Sequence, residues 1–303
     1  MIGSILSIWT QKNMNSFENK KQLRFKITLG TTTFGSNGEN VIVLDGFRAK
    51  VDIEKNGGVM LSQAVCKIYG LSQSDMNSIT TLWWLPNSFP RSQIEIYAIV
   101  GKQESMVFAG DIITAQGDYQ SLPDVFLLIQ ASTTYHARLQ AVEPLSVKGG
   151  TKVDVLFDRI AKKLGLQFFS NQVDVTLVDS YFDSDLVTQA KEIAKAANIE
   201  LVINDKTLSI TKKNTSLPGL EPEISKDSGL VGYPMLDGTG VVFRCLYDPA
   251  ILFKGAINLI SEIPKASGRW IVDSVGTYLE SETPNGAWFC YIRGSYHGQS
   301  FAR

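Results

Sequence analysis

The 303-residue chain has only two histidines, His136 and His297, in different regions of the sequence. A histidine-rich metal site therefore cannot be assembled within one subunit. Its three cysteines, Cys66, Cys245 and Cys290, are odd in number and widely separated. That argues against both a disulfide framework and a zinc cluster. Cys66 and Cys290 sit in apolar, strand-like runs, where a buried reduced thiol is expected, as suits assembly in a reducing cytoplasm. No surplus of positive charge exists either: 29 Lys and Arg stand against 30 Asp and Glu. Nothing then pulls the whole molecule onto nucleic acid, and Lys20-Lys21 and Lys212-Lys213 are too short to make a basic patch. The apolar opening Ile2 to Trp9 is far shorter than the ~20 residues that span a bilayer and lacks the marks of a signal peptide, so no membrane anchor is expected.

Catalytic signatures are missing as well. The sequence has no G-x-S-x-G elbow, no H-E-x-x-H and no G-x-x-x-x-G-K-[ST] loop, and Gly238-Thr239-Gly240 is a turn that lacks the third glycine and following helix of a phosphate site. The best candidate for chemistry is the trio Asp179, Asp183 and Asp185. An EF-hand would need an oxygen ligand at Val187 and a glycine at Thr188, whereas Asp183 and Asp185 stand where a helix start favours carboxylates. Capping is the expected role, with no catalytic residue, metal or cofactor.

What is present is ordinary globular composition, 44% hydrophobic and 19% charged, over a length that implies two or three domains. Phe25, Ile27 and Leu29 alternate with polar residues, and Phe47, Ala49, Val51 and Ile53 do so more cleanly before the Asn-Gly-Gly turn at 56–58. Further strands are predicted over 64–69, 94–100, 106–114 and 125–131, with a short helix near 74–81. Many short strands at this spacing mean a barrel or a sandwich.

Near Lys148 the period changes. Val153, Leu156, Phe157, Ile160, Ala161 and Leu164 line one face of a helix that Thr151 is expected to cap and Gly165 to stop. Leu186, Ala190, Ile193 and Ala194 line a second, which stops at Asn198, and a hairpin turns at Asn204-Asp205-Lys206. This is a compact α+β module. A Pro-, Gly- and Ser-containing linker or surface loop follows, then strands over 241–246, 256–260, 270–279 and 287–293, the last two joined across Asn285-Gly286.

Two features suggest contact with neighbours. Trp83 and Trp84 are adjacent, so on a strand they face opposite ways, and one needs a partner outside its own core. Either a neighbouring domain covers it, or Trp83, Trp84 and Phe89 belong to a subunit interface. The arm carrying Ile5 and Trp9 is either a loose tail or an apolar clip on another subunit.

These residues resemble one family from end to end. The likeness runs through Phe25-Lys26-Ile27-Thr28-Leu29, Leu44-Asp45-Gly46-Phe47-Arg48-Ala49 and Val107-Phe108-Ala109-Gly110-Asp111-Ile112. It is closer still at Leu230-Val231-Gly232-Tyr233-Pro234, Gly240-Val241-Val242-Phe243-Arg244-Cys245 and Gly268-Arg269-Trp270. The sequence is similar to the baseplate hub proteins of contractile phage tails over about 22–296. The resemblance implies a mixed α+β, mainly β chain with two tail-tube-like β-barrel domains flanking a small α+β insert. Boundaries follow at 1–21 for the arm, 22–141 for the first barrel, 142–213 for the insert, 214–229 for the linker and 230–303 for the second β domain. It further implies a homotrimer in the virion that adapts a sixfold tail tube to a threefold spike. Its partners would be the tail tube or tube-initiator protein, the central spike protein and the tape-measure protein in the lumen. No fused spike or lysozyme-type domain is expected after Gly294. Two other readings stay open, a cell-wall glycan hydrolase and a monomeric β-sandwich binding module.

Overall fold

A computed structural model describes residues 20–30, 34, 38–56, 61–80 and 91–296. The alternating segments become strands with one buried face. In β1 (Lys21–Thr28) Leu23, Phe25 and Ile27 are buried, and in β3 (Ala49–Asn56) so are Ala49, Val51 and Ile53. Around them run β2 (Val41–Asp45), β4 (Gln63–Tyr69), β5 (Gln93–Val100), β6 (Gln103–Asp118) and β7 (Phe126–Ser132). The short helix is α1 (Gln73–Ile79). Ser72 caps it by accepting from the Asp75 N–H, and Met76 and Ile79 are its buried side.

The middle of the chain folds around its own apolar cluster. After α2 (Tyr135–Leu139), strands β8 (Leu145–Lys152) and β10 (Thr176–Phe182) pair antiparallel, while β9 (Gln167–Asn171), β11 (Ile199–Asn204) and β12 (Thr207–Lys212) form a three-stranded sheet. Helices α3 (Val153–Leu164) and α4 (Leu186–Ala196) lie against these strands and bury the predicted faces. Gly165 closes α3 at φ 72°, and Asn198 follows α4 at φ 55°, both left-handed positions. Thr151 does not cap α3. It belongs to β8, opposite Leu177, and the cap position falls to Lys152 without a side-chain bond. Asp154, in the first turn of α3, accepts from the Ser170 hydroxyl at 2.9 Å.

The last stretch contributes β13 (Glu223–Ile224), β14 (Leu230–Leu236), β15 (Gly240–Leu246), β16 (Ala256–Leu259), β17 (Gly268–Ser281) and β18 (Trp288–Tyr296). Within 214–229 the backbone is strapped down. β13 pairs parallel with β16, Ile224 is buried, and Arg269 grips Glu221 through two nitrogens.

The chain is mainly β, and among the described residues its strands do not close into the two barrels expected from the sequence. One 13-stranded sheet runs β14-β15-β18-β17-β3-β4-β7-β6-β5-β1-β2, with β16 and β13 branching from β17. The reason lies in β17, whose one edge is shared. β16 occupies it along 268–271, and β3 occupies it along 274–281, past a bulge at Asp273. The sheet curls enough to bring the start of β1 back to the end of β17, where Lys20 reaches Glu282 at 2.8 Å.

The strand plan repeats. β3-β4-β7-β6-β5 in the first stretch matches β14-β15-β18-β17-β16 in the last, in the same sequence order and with every pairing antiparallel. The bulges coincide too, between Ile112 and Thr114 in β6 and between Val272 and Ser274 in β17.

Candidate assembly surfaces and internal joints

The turn between β11 and β12 is the point where the α+β module meets the large sheet. Asp205 holds φ 49°, a left-handed conformation that Asp tolerates because its short side chain bonds locally. Here the side chain bonds outward. Oδ2 lies 2.6 Å from Lys55 Nζ on β3, and Oδ1 accepts from the Ala109 N–H on β6 at 3.1 Å. The Lys55 and Asp205 side chains are only 12% and 16% exposed, so this ion pair is held away from most water. Next to it Lys206 pairs with Glu95 at 3.1 Å. Tyr97 donates a short bond to Glu95, and these donors hold the Glu95 carboxyl below its usual range against the opposing effect of burial.

A second joint links the module to the last β stretch. Lys254 lies 2.7 Å from Asp273, at the β17 bulge, and 3.3 Å from Glu200 on β11. Although burial opposes its charge, the two carboxylates raise its pKa. Val202 of β11 completes the third apolar cluster. The two β stretches also meet at Tyr247, which hydrogen-bonds Ser105 at 2.8 Å and stands edge-on to Trp288 with centroids 6.0 Å apart.

The broad outer face of the sheet mixes charge with aromatic rings. One row crosses it from Leu246 through Phe289, Tyr278, Asp52 and Val65 to Gln130. Arg244 lies over the Phe289 ring, Tyr278 meets Tyr291 edge-on, and Lys50 pairs with Glu280 at 2.8 Å. Asp52 is the strained member of the row. Burial, followed by the neighbouring Glu54 charge, pushes its pKa up, and its Oδ1 is buried without a hydrogen-bond partner.

The ends of the sheet are its two outermost strands. β2 exposes Val43, with Asp45 clamped by Arg24 at 2.7 Å and Arg24 held in turn by Glu104. β14 is more apolar at its surface, with Tyr233 and Met235 each 69% exposed and Leu236 45% exposed. Pro234 in this strand is the sequence signal that β14 lies at an edge.

The interface residues expected from sequence, Trp83, Trp84, Phe89, Ile5 and Trp9, lie outside the described residues, as does His297. The acidic trio is not a cluster. Asp179 accepts from the Gly149 N–H at 3.0 Å across the β8–β10 pair, while Asp185 caps α4 by accepting from the N–H groups of Val187 and Thr188. His136 uses its backbone N–H to bind Asp111. All three cysteines are buried and free, and burial pushes the Cys290 thiol up to about 11, where thiolate chemistry is suppressed. Among the described residues no group of three metal-binding side chains converges. A cavity of about 310 Å³ between β8, α3 and α4 is lined by Glu143, Arg159, Lys163 and Gln189. The geometry consists of joints, faces and edges.

Comparison with known proteins agrees. The tail protein from Neisseria meningitidis MC58 superposes with a TM-score of 0.60 at 9% identity, over 90% of this chain and 96% of that one. The 43 kDa tail protein of prophage MuSo2 from Shewanella oneidensis gives 0.61 at 8% identity, over 92% and 98%. The E. coli c3393 protein gives 0.54 at 7% identity, over 83% and 74%; it is a component of the type VI secretion system with structural similarity to the T4 bacteriophage tail proteins gp27 and gp5. At these identities the likeness shows a common fold. No curated protein sequence matches. The baseplate hub gp41 family, in contrast, matches by sequence over residues 25–286, most of the chain. The chain therefore belongs to the baseplate hub gp41 family and is a structural component of a phage tail.

Proposed function

We propose that three copies of this hub close into a ring that adapts the sixfold tube of a contractile tail to the threefold spike beneath it. The observation that carries this reading is the repeated strand plan, β3-β4-β7-β6-β5 and β14-β15-β18-β17-β16. Each chain offers two similar β units, tube-like barrels in the assembled ring, so three chains offer six. The tube or tube-initiator protein meets one face of the ring, the central spike protein meets the other, and the tape-measure protein occupies the lumen until DNA passes. Trp83, Trp84 and Phe89, with Ile5 and Trp9 of the N-terminal arm, are further proposed contacts of this assembly, because aromatic side chains are enriched at interfaces.

Light scattering coupled to size exclusion, with the hub alone and with its tube and spike proteins, tests the ring. A trimer is expected, with threefold symmetry and a sixfold-like inner rim in averaged electron micrographs. A monomer that ignores both partners refutes the reading. Trp83→Ala with Trp84→Ala should weaken the assembly, and an unchanged trimer removes those two residues from the interface.

A further inference from the structure

The outer face of the large sheet has a glycine where its aromatic and acidic residues meet. Gly276 on β17 stands opposite Glu54 on β3 and opposite Tyr291 on β18, and one row along the same face Tyr278 stands opposite Asp52. With no side chain at its centre, this stretch is a shallow hollow walled by two tyrosines and two carboxylates. A Cβ added at Gly276 would come no closer than 3.5 Å to any neighbour, so the floor is open. The two rings meet edge-on with centroids 5.2 Å apart, and Tyr291 is 45% exposed.

Elsewhere on this face the charged side chains are engaged. Lys50 pairs with Glu280, Arg293 pairs with Asp237, Lys67 lies over the Phe126 ring, and Arg244 lies over Phe289 and Tyr291. Asp52 and Glu54, neighbours on one side of one strand, form no ion pair among the described residues. Their mutual repulsion is left uncompensated. The buried, unpartnered Oδ1 of Asp52 marks the same deficit, and the Tyr278 hydroxyl, pushed up first by burial, is pushed up further by both carboxylates.

We propose that this hollow is a docking site for an arginine side chain presented by a polypeptide segment of another protein. The same face already shows the chemistry within the chain: Arg48 lies 4.0 Å from the Tyr69 ring centroid while it bonds the Asp124 carboxylate. A guanidinium entering over Gly276 finds equivalent partners, an aromatic ring for stacking and the exposed Glu54 carboxylate for its N–H groups, and its charge offsets that of Asp52. Arginine suits the hollow better than lysine because its flat fork stacks and bonds at once, whereas an ammonium is a compact, strongly hydrated point charge. The inference needs only the sheet of one chain and stands apart from the ring reading.

Fluorescence anisotropy with two labelled peptides tests the site. One carries two arginines among glycines and serines, and the other carries citrulline, which keeps the shape and loses the charge. The arginine peptide should bind the wild-type chain, and the citrulline peptide should bind roughly tenfold more weakly, the loss expected for one charge-assisted contact. Asp52→Asn with Glu54→Gln should weaken the arginine peptide at least as much. Gly276→Val keeps both carboxylates but fills the hollow, so it should weaken binding too. Asp183→Asn with Glu192→Gln, which removes two charges from the α+β module, should change the affinity by less than about twofold, because distant exposed charges are screened. Asp52→Asn alone is expected to melt above wild type, so binding lost in that variant cannot be assigned to unfolding. No binding to wild type, equal binding of the citrulline peptide, or binding that survives either change at the hollow overturns the proposal. An equal loss in the module variant overturns it as well, since it shows general attraction between charges.

Discussion

Asp205 offers the sharpest test of how the α+β module is held. Replacing it with Asn keeps an acceptor for the Ala109 N–H and keeps a residue that tolerates φ 49°, so mainly the charge opposite Lys55 is removed. Breaking a fully buried ion pair costs about 3–5 kcal/mol, and an exposed pair contributes under about 1 kcal/mol. With side chains 12% and 16% exposed, the Lys55–Asp205 pair belongs nearer the buried limit, so Asp205→Asn should cost about 2 kcal/mol. Asp205→Ala should cost about 1–2 kcal/mol more, because alanine is poor in the left-handed region and leaves the Ala109 N–H without its acceptor. Chemical denaturation of the two variants, Lys55→Met and the Lys55→Met/Asp205→Asn double variant measures the coupling. Hydrogen exchange at Ala109 should accelerate in Asp205→Ala and much less in Asp205→Asn. Additive effects, within about 0.5 kcal/mol, would show that the pair does not act as a unit and would refute this account of the joint.

Asp52→Asn should stabilise the protein at neutral pH. The folded state raises the Asp52 pKa, so ionisation at high pH penalises folding, and the gain from Asn is full above that raised pKa and vanishes as pH falls below the ordinary carboxylate range. Melting temperatures at pH 7 and pH 3 check this, and an equal gain at both would contradict it. Gly240→Ala should be severely destabilising, by about 3 kcal/mol, because an added Cβ would lie 2.0 Å from the Gly294 carbonyl oxygen on the paired strand β18. Gly238→Ala, with open space around it, should melt close to wild type.

Much of this architecture is legible in the sequence, and the exceptions have physical causes. The β3 strand and the apolar faces of α3 and α4 are local patterns, set by side-chain spacing over ten residues or so, and they fold as read. Strand β8 escapes that reading because Gly149 and Gly150 interrupt it and its burial is sparse. The capping role expected for Thr151 fails for the same reason: once 145–152 pairs with β10, Thr151 is held in an extended ladder. The joining of the two β stretches is invisible locally, since Ala49 and Ser281 meet across more than two hundred residues and each strand taken alone fits an independent unit. Asp205 reads from the sequence as a turn residue and nothing more; only the fold brings Lys55 and Ala109 to it. For the apolar edge the signal is present in Pro234 beside exposed Tyr233 and Met235, but only the fold shows β14 to be outermost.

The division of β17 between two partners acts as a protractor. The α+β module and the segments around it place 97 residues between β7 and β14, a span that as a tether would leave the two β units free to swivel. Hydrogen bonding of one unbroken strand to β16 on one side of Asp273 and to β3 on the other sets the angle between the units by sheet twist instead. Insertions or deletions in the module can therefore accumulate without changing the angle between the two β units.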